Sequence, residues 1–125
     1  MSFVRKETEY YNVAISEQLQ LLIKNYRKLD PVLSTMDDRK LILYAVHKAI
    51  EGGGNIFTEP LDLSKNRNIK LKKTRDISYH FEEITKKYKE YGIEISSRQY
   101  FHRLVINHMI EEINNKEQVS VKSYD

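Results

Sequence analysis

Apolar residues recur at helical spacing over four stretches of this chain. Ile15, Leu19, Leu22, Tyr26 and Leu29 fall at steps of four, three, four and three. That spacing is the seam of an amphipathic helix, and it ends before Pro31. Thr35 with Asp38 three positions on has capping-box spacing, and Asp37 lies near the positive end of the dipole, so a second helix is predicted to about residue 51. Its run at 41–46 is apolar almost all round, which predicts a central helix touched from several sides. Ile77, Phe81, Ile84, Tyr88 and Tyr91 line one face of a third helix over about 75–91, stopped by Gly92. After the connector 93–95, Ser96 stands three residues before Gln99 and opens a fourth helix from 97 to about 113.

The remaining segments read differently. Residues 1–11 lack periodicity and read as a partly ordered arm. Gly52, Gly53 and Gly54 end the second helix, and with no Gly-Lys-Ser/Thr following they make a turn, not a phosphate cradle. Residues 55–58 can form a short strand, and residues 119–124 alternate well enough for a terminal one. Pairing them gives a small two-stranded sheet. The expected architecture is therefore mainly α: a winged helix-turn-helix with that sheet and an extra N-terminal helix. Residues 1–34 would be an arm with a packing or dimerisation helix, and residues 35–125 the winged-helix-like domain.

The fourth helix carries the most chemistry. In its first half Tyr100, Phe101, Leu104 and Val105 share one side, and Arg98, Gln99, His102 and Arg103 fan over the other. Farther along, Ile106, Met109, Ile110 and Ile113 lie on the continuation of the polar side, so the apolar surface changes faces. Those residues need cover from Ile15, Leu19, Leu22 and Tyr26 of the N-terminal seam or from a second subunit. Homodimerisation is expected on that ground.

Charge sharpens the picture. Between residues 64 and 75 lie Lys65, Arg67, Lys70, Lys72, Lys73 and Arg75 with no acidic residue, so out of a net charge of +3 the rest of the chain sums to −3. Positive charge gathered in one segment suits phosphate contact. At 125 residues the chain has room for one modest core. The absence of cysteine removes disulfides and thiolate chemistry, and no stretch reads as a signal peptide or membrane span. A cytoplasmic protein without a membrane partner is expected.

Catalysis finds no support. His47, His80, His102 and His108 form no i,i+4 pair, so no metal site is expected. The doublets Glu82-Glu83 and Glu111-Glu112 splay apart on helices, and nucleophile-elbow, phosphate-loop and zinc-protease motifs are missing. No enzyme activity, cofactor or small-molecule substrate is expected. A helix pair across a short turn beside a basic run instead suits a sequence-specific binder of double-stranded DNA, used in transcriptional regulation. Arg98, Gln99, His102 and Arg103 would contact bases, and Lys65, Arg67, Lys70, Lys72, Lys73 and Arg75 phosphates. A protein–protein adaptor on the same scaffold, with residues 106–113 as its interface, is the alternative from another class.

The segment His80-Phe-Glu-Glu-Ile-Thr-Lys-Lys-Tyr-Lys-Glu-Tyr-Gly-Ile-Glu-Ile-Ser-Ser-Arg-Gln resembles the C-terminal winged-helix domain of archaeal origin-recognition replication initiators, over about residues 37–113. The resemblance implies a winged helix whose recognition helix opens at Ser97 and Arg98, and an accessory role in DNA replication as a further alternative. Gln99 stands where that family usually has a second arginine, and Glu111 where it often has glycine. The wing is truncated and the nucleotide-hydrolysing domain is absent, so origin function would not carry over.

Overall fold

The computed structural model describes residues 10–56, 63 and 65–122, with side chains as far as 116. The elements in chain order are β1 (Tyr10–Ala14), α1 (Glu17–Arg27), a 3-10 turn (Leu33–Thr35), α2 (Asp38–Glu51), β2 (Asn68–Lys72), α3 (Arg75–Lys89) and α4 (Ser97–Lys122). The protein is mainly helical with a small two-stranded antiparallel sheet.

Short polar residues start the first three helices. Ser16 accepts from the Leu19 N–H at 3.0 Å, Asp37 from Lys40 at 2.9 Å and Thr74 from Ile77 at 3.3 Å, each satisfying a donor that the first turn leaves unpaired. The cap of α2 is thus Asp37. Thr35 belongs to the preceding 3-10 turn, where its hydroxyl donates to the Val32 carbonyl at 2.7 Å. Gly92, at φ 73°, turns the chain after α3, and the Ile93 N–H donates back to the Tyr88 carbonyl at 3.0 Å.

Neither strand of the sheet is one of the two expected. β1 comes from the end of the supposed arm and β2 from the basic segment, paired antiparallel from Tyr10 opposite Lys72 to Ala14 opposite Asn68. Asn-Ile-Lys-Leu-Lys has the period of two that a half-buried strand needs, burying Ile69 and Leu71 and exposing Asn68, Lys70 and Lys72. Asn55 and Ile56 lie outside any strand, and residues 57–58 lie outside the described residues. Residues 119–122 continue α4 as helix, and 123–124 again lie outside the described residues. Alternation over so few residues does not stop a helix already started at Ser97.

α2 meets α4, β2 and α3, touched from several sides as expected, and the most enclosed helix is α4. It packs against β1, α1 and α2, and Tyr100, Phe101, His102, Leu104, Val105, Ile106, His108 and Met109 are all buried on it. α2 is amphipathic, burying Leu41, Ile42, Ala45, Val46 and Ala49 and exposing Tyr44 and Lys48. α1 lies along α4 through Leu19, Ile23 and Tyr26, with Leu22 half-buried. Ile106 and Met109 are therefore covered within the chain, and Ile110 and Ile113 are half-buried. Of the two covers expected for this apolar stretch, the N-terminal helix or a second subunit, the N-terminal helix supplies one, and little of the stretch is left for an adaptor interface. Residues on both sides of the expected division at residue 34 share that core.

An aromatic cluster holds α3 and β1 to α4. Phe81 lies 5.3 Å from Tyr11, 5.7 Å from Tyr100 and 5.4 Å from Phe101, centroid to centroid, and Tyr11 lies 5.1 Å from Phe101. Only Ile77 of α3 is fully buried, and Tyr91, past the end of the helix, is exposed. No helix among the described residues is long and apolar enough to cross a membrane.

Candidate nucleic-acid interface

The period of two in β2 sends its cations to one side. Lys70 and Lys72 project from the outer face of the sheet with Tyr10 and Asn12 of β1 beside them. Lys65, Arg67 and Arg75 are also exposed, and Lys73 is half-buried. Lys70 Nζ is 5.6 Å from the Tyr10 centroid on this surface, and half-buried Lys73, past the end of β2, has its Nζ 4.5 Å from the centroid of Tyr11, which stands opposite Leu71 on the inner face. The strand is itself tied down, because the Ile15 N–H donates to the Arg67 carbonyl at 2.9 Å. The result is a basic ribbon carried on a paired strand.

The expected base-contacting group does not stay together. Arg98 Nη2 donates to the Leu63 carbonyl at 2.6 Å and the Asn66 carbonyl at 2.8 Å, and Nε to the Asn68 side chain. Its guanidinium is a staple between the first turn of α4 and the segment leading into β2, not a side chain projecting toward a groove. His102 has no exposed surface; its Nε2 lies 2.8 Å from Ser16 Oγ and its Nδ1 has no partner among the described residues. Burial, with the Arg98 charge adding to it, lowers its pKa to about 4. A neutral imidazole sealed inside the fold cannot reach a base edge. Helical geometry explains the split: with β1, α1 and α2 around α4, residues 99–109 leave only Gln99, Arg103 and Asn107, spaced four apart, toward solvent.

Gln99 is exposed and Arg103 half-buried. Both line a groove of about 230 Å³ between the end of α3, the connector and α4, with Ile56, Tyr88 and Ile95. Its lining includes no residue of the basic segment. The fold thus brings Arg98 to the cations and sends Gln99 and Arg103 to a separate groove.

Sequence reasoning missed the use made of the histidines. Each one meets a hydroxyl from another part of the chain: His102 meets Ser16, His108 meets Tyr26 at 2.9 Å, His80 meets Tyr100 at 2.7 Å and His47 meets Thr74 at 3.3 Å. Burial lowers the pKa of His80 and His108, raises that of Tyr26, and with Tyr88 pushes Tyr100 up to about 12. The partners are 20 to 86 residues apart in sequence, so no local spacing announces them. Gly54, at φ +73°, lies so close to His80 that an added Cβ would stand 2.7 Å from its Cε1. Among the described residues no group of three or more histidine, aspartate or glutamate side chains is arranged to hold a metal ion.

Comparison of the chain with known protein families, with curated proteins and with solved structures finds no match.

Proposed function

We propose that this protein binds double-stranded DNA, gripping the phosphate backbone with the basic ribbon and reaching the duplex from a winged-helix-like scaffold in which the α3–α4 pair stands beside the two-stranded sheet. The observation that carries the reading is the outward row of Lys70 and Lys72 on β2, flanked by Lys65, Arg67 and Arg75, in a segment with no acidic residue. Arg98 enters as the staple that ties Leu63, Asn66 and Asn68 to the start of α4 beside that row. Base contact falls to Gln99 and Arg103 alone, so discrimination between sequences is expected to be modest beside the electrostatic term.

A salt titration of duplex binding tests this. Each phosphate neutralised contributes a slope of about −0.9 in log K against log salt concentration. Lys70→Ala with Lys72→Ala is expected to weaken binding and flatten the slope by about 2. An unchanged affinity and slope would remove the ribbon from the interface. Gln99→Ala and Arg103→Ala are expected to alter preference among duplexes while leaving the slope nearly as it was. If neither changes any preference, α4 does not read bases.

A further inference from the structure

We propose that the seam between α1 and α4 is an acid-sensitive clasp: proton uptake by His102 and His108 releases α1 from α4 before the rest of the fold opens. The two imidazoles engage α1 at its two ends, His102 through Ser16 at the N-cap and His108 through Tyr26 in the last turn. Ten residues of helix separate these contacts, about 15 Å, so the two pins define nearly the whole length of the seam. Ser16 serves twice, since the oxygen that meets His102 also caps α1 through the Leu19 N–H. A change at His102 therefore reaches the start of the helix directly.

Protonation is incompatible with the packed seam at His102. A neutral ring can leave Nδ1 as a bare acceptor, but an imidazolium carries N–H on both nitrogens, and among the described residues Nδ1 has no partner to receive that bond. The cation would be fully buried, and the charge acting on it is the like charge of Arg98. At His108 the balance is closer. Burial opposes the proton most, Glu112 and Glu111 of α4 favour it, Lys48 of α2 opposes it, and the partner Tyr26 faces Tyr44 and Glu112. A crevice of about 30 Å³, lined by Lys48, Asn55, Asn107, His108 and Glu111, opens onto this ring. That is room for one water, which gives His108 a path to solvent protons that His102 lacks.

The connections allow α1 to leave without its neighbours. On one side the Ile15 N–H donates to Arg67 and keeps β1 on β2; on the other Arg27 bonds the Leu33 and Met36 carbonyls and pairs with Asp38 at 2.5 Å. α1 is held at both junctions, so its release exposes Leu19, Ile23 and Tyr26 while β1 stays on β2 and Arg27 stays on Asp38.

Hydrogen exchange of the intact chain from pH 7.5 to 4, corrected for the intrinsic pH dependence of exchange, tests the clasp. Protection of residues 17–27 is expected to fall at least tenfold while residues 41–50 of α2 remain protected. In His102→Gln with His108→Gln, whose amides cannot take up a proton, protection of α1 should stay flat with pH; His80→Gln, away from the seam, should keep the acid response. If the double variant does not fold, His108→Gln alone should move the release to lower pH. Loss of α1 and α2 protection at one common pH, an acid response that survives in the double variant, or no displacement in the single one would each overturn the proposal.

Discussion

Residues 65–75 and 98–103 carry similar polar and basic side chains, yet the first set exposes most of its cations while the second buries His102 and ties half-buried Arg98 to backbone carbonyls. The difference lies in the number of neighbours. β2 has the core on one face only, so a period of two delivers Ile69 and Leu71 inward and Lys70 and Lys72 outward. α4 has neighbours on three sides, and a polar residue on such a helix either finds a buried partner or is not tolerated. His102 found Ser16, and Arg98 found two carbonyls. On the enclosed sides of a helix polar chemistry is structural, which leaves Gln99 and Arg103 on the open stripe, and on a strand with one open face it is available to a partner.

Substitutions should separate the two regions sharply. The largest effect is expected at Phe101, fully buried on α4 amid the rings of Tyr11, Phe81 and Tyr100: Phe101→Ala should lower unfolding free energy by about 3–5 kcal/mol in urea titrations. A loss below about 1 kcal/mol would mean that α4 is less enclosed than described.

Next comes pH. The folded pKa of His102, about 4, lies below its ordinary value of 6.5. The unfolded chain therefore takes up this proton first as pH falls. The imidazole's contribution is complete above pH 6.5 and is lost toward pH 4, by about 3 kcal/mol over that window. Denaturant titrations at pH 7 and pH 4.5 should show it, and His102→Gln should remove most of the slope.

Arg98→Ala sits between the two regions. It strips partners from the Leu63 and Asn66 carbonyls, with an expected cost of about 1–3 kcal/mol, and should speed hydrogen exchange in residues 65–68 more than in α4. Equal acceleration in both would mean that Arg98 does not staple the ribbon. The smallest effect is expected on the ribbon itself: Lys70→Ala with Lys72→Ala should change stability by no more than about 0.5 kcal/mol, because exposed side chains leave little behind when removed. A larger loss would make these lysines structural and weaken their assignment to phosphate contact.

Much of the fold was legible along the chain. The apolar steps through Leu19, Leu22 and Tyr26, and through Ile77, Phe81 and Ile84, located α1 and α3, and the polar residues before them are the sort that cap helices. The acid-free basic run was equally plain, and it emerged on the surface as expected. The strands were harder: the alternation of residues 68–72 rests on two apolar residues, and its partner at 10–14 lies in a stretch whose pattern becomes a strand only when β2 is beside it.

The sequence by itself determined that the protein is mainly helical, where most helices begin, and that its positive charge is gathered in one segment, because helical periodicity, capping and charge are local properties of the chain. Only the tertiary structure decided which helix is most enclosed, which strands pair, and which of Arg98, Gln99, His102 and Arg103 keep a way out to solvent. Those outcomes depend on contacts between residues far apart in sequence, such as Ser16 with His102, and burial is a property of the neighbours a side chain acquires, not of the side chain alone.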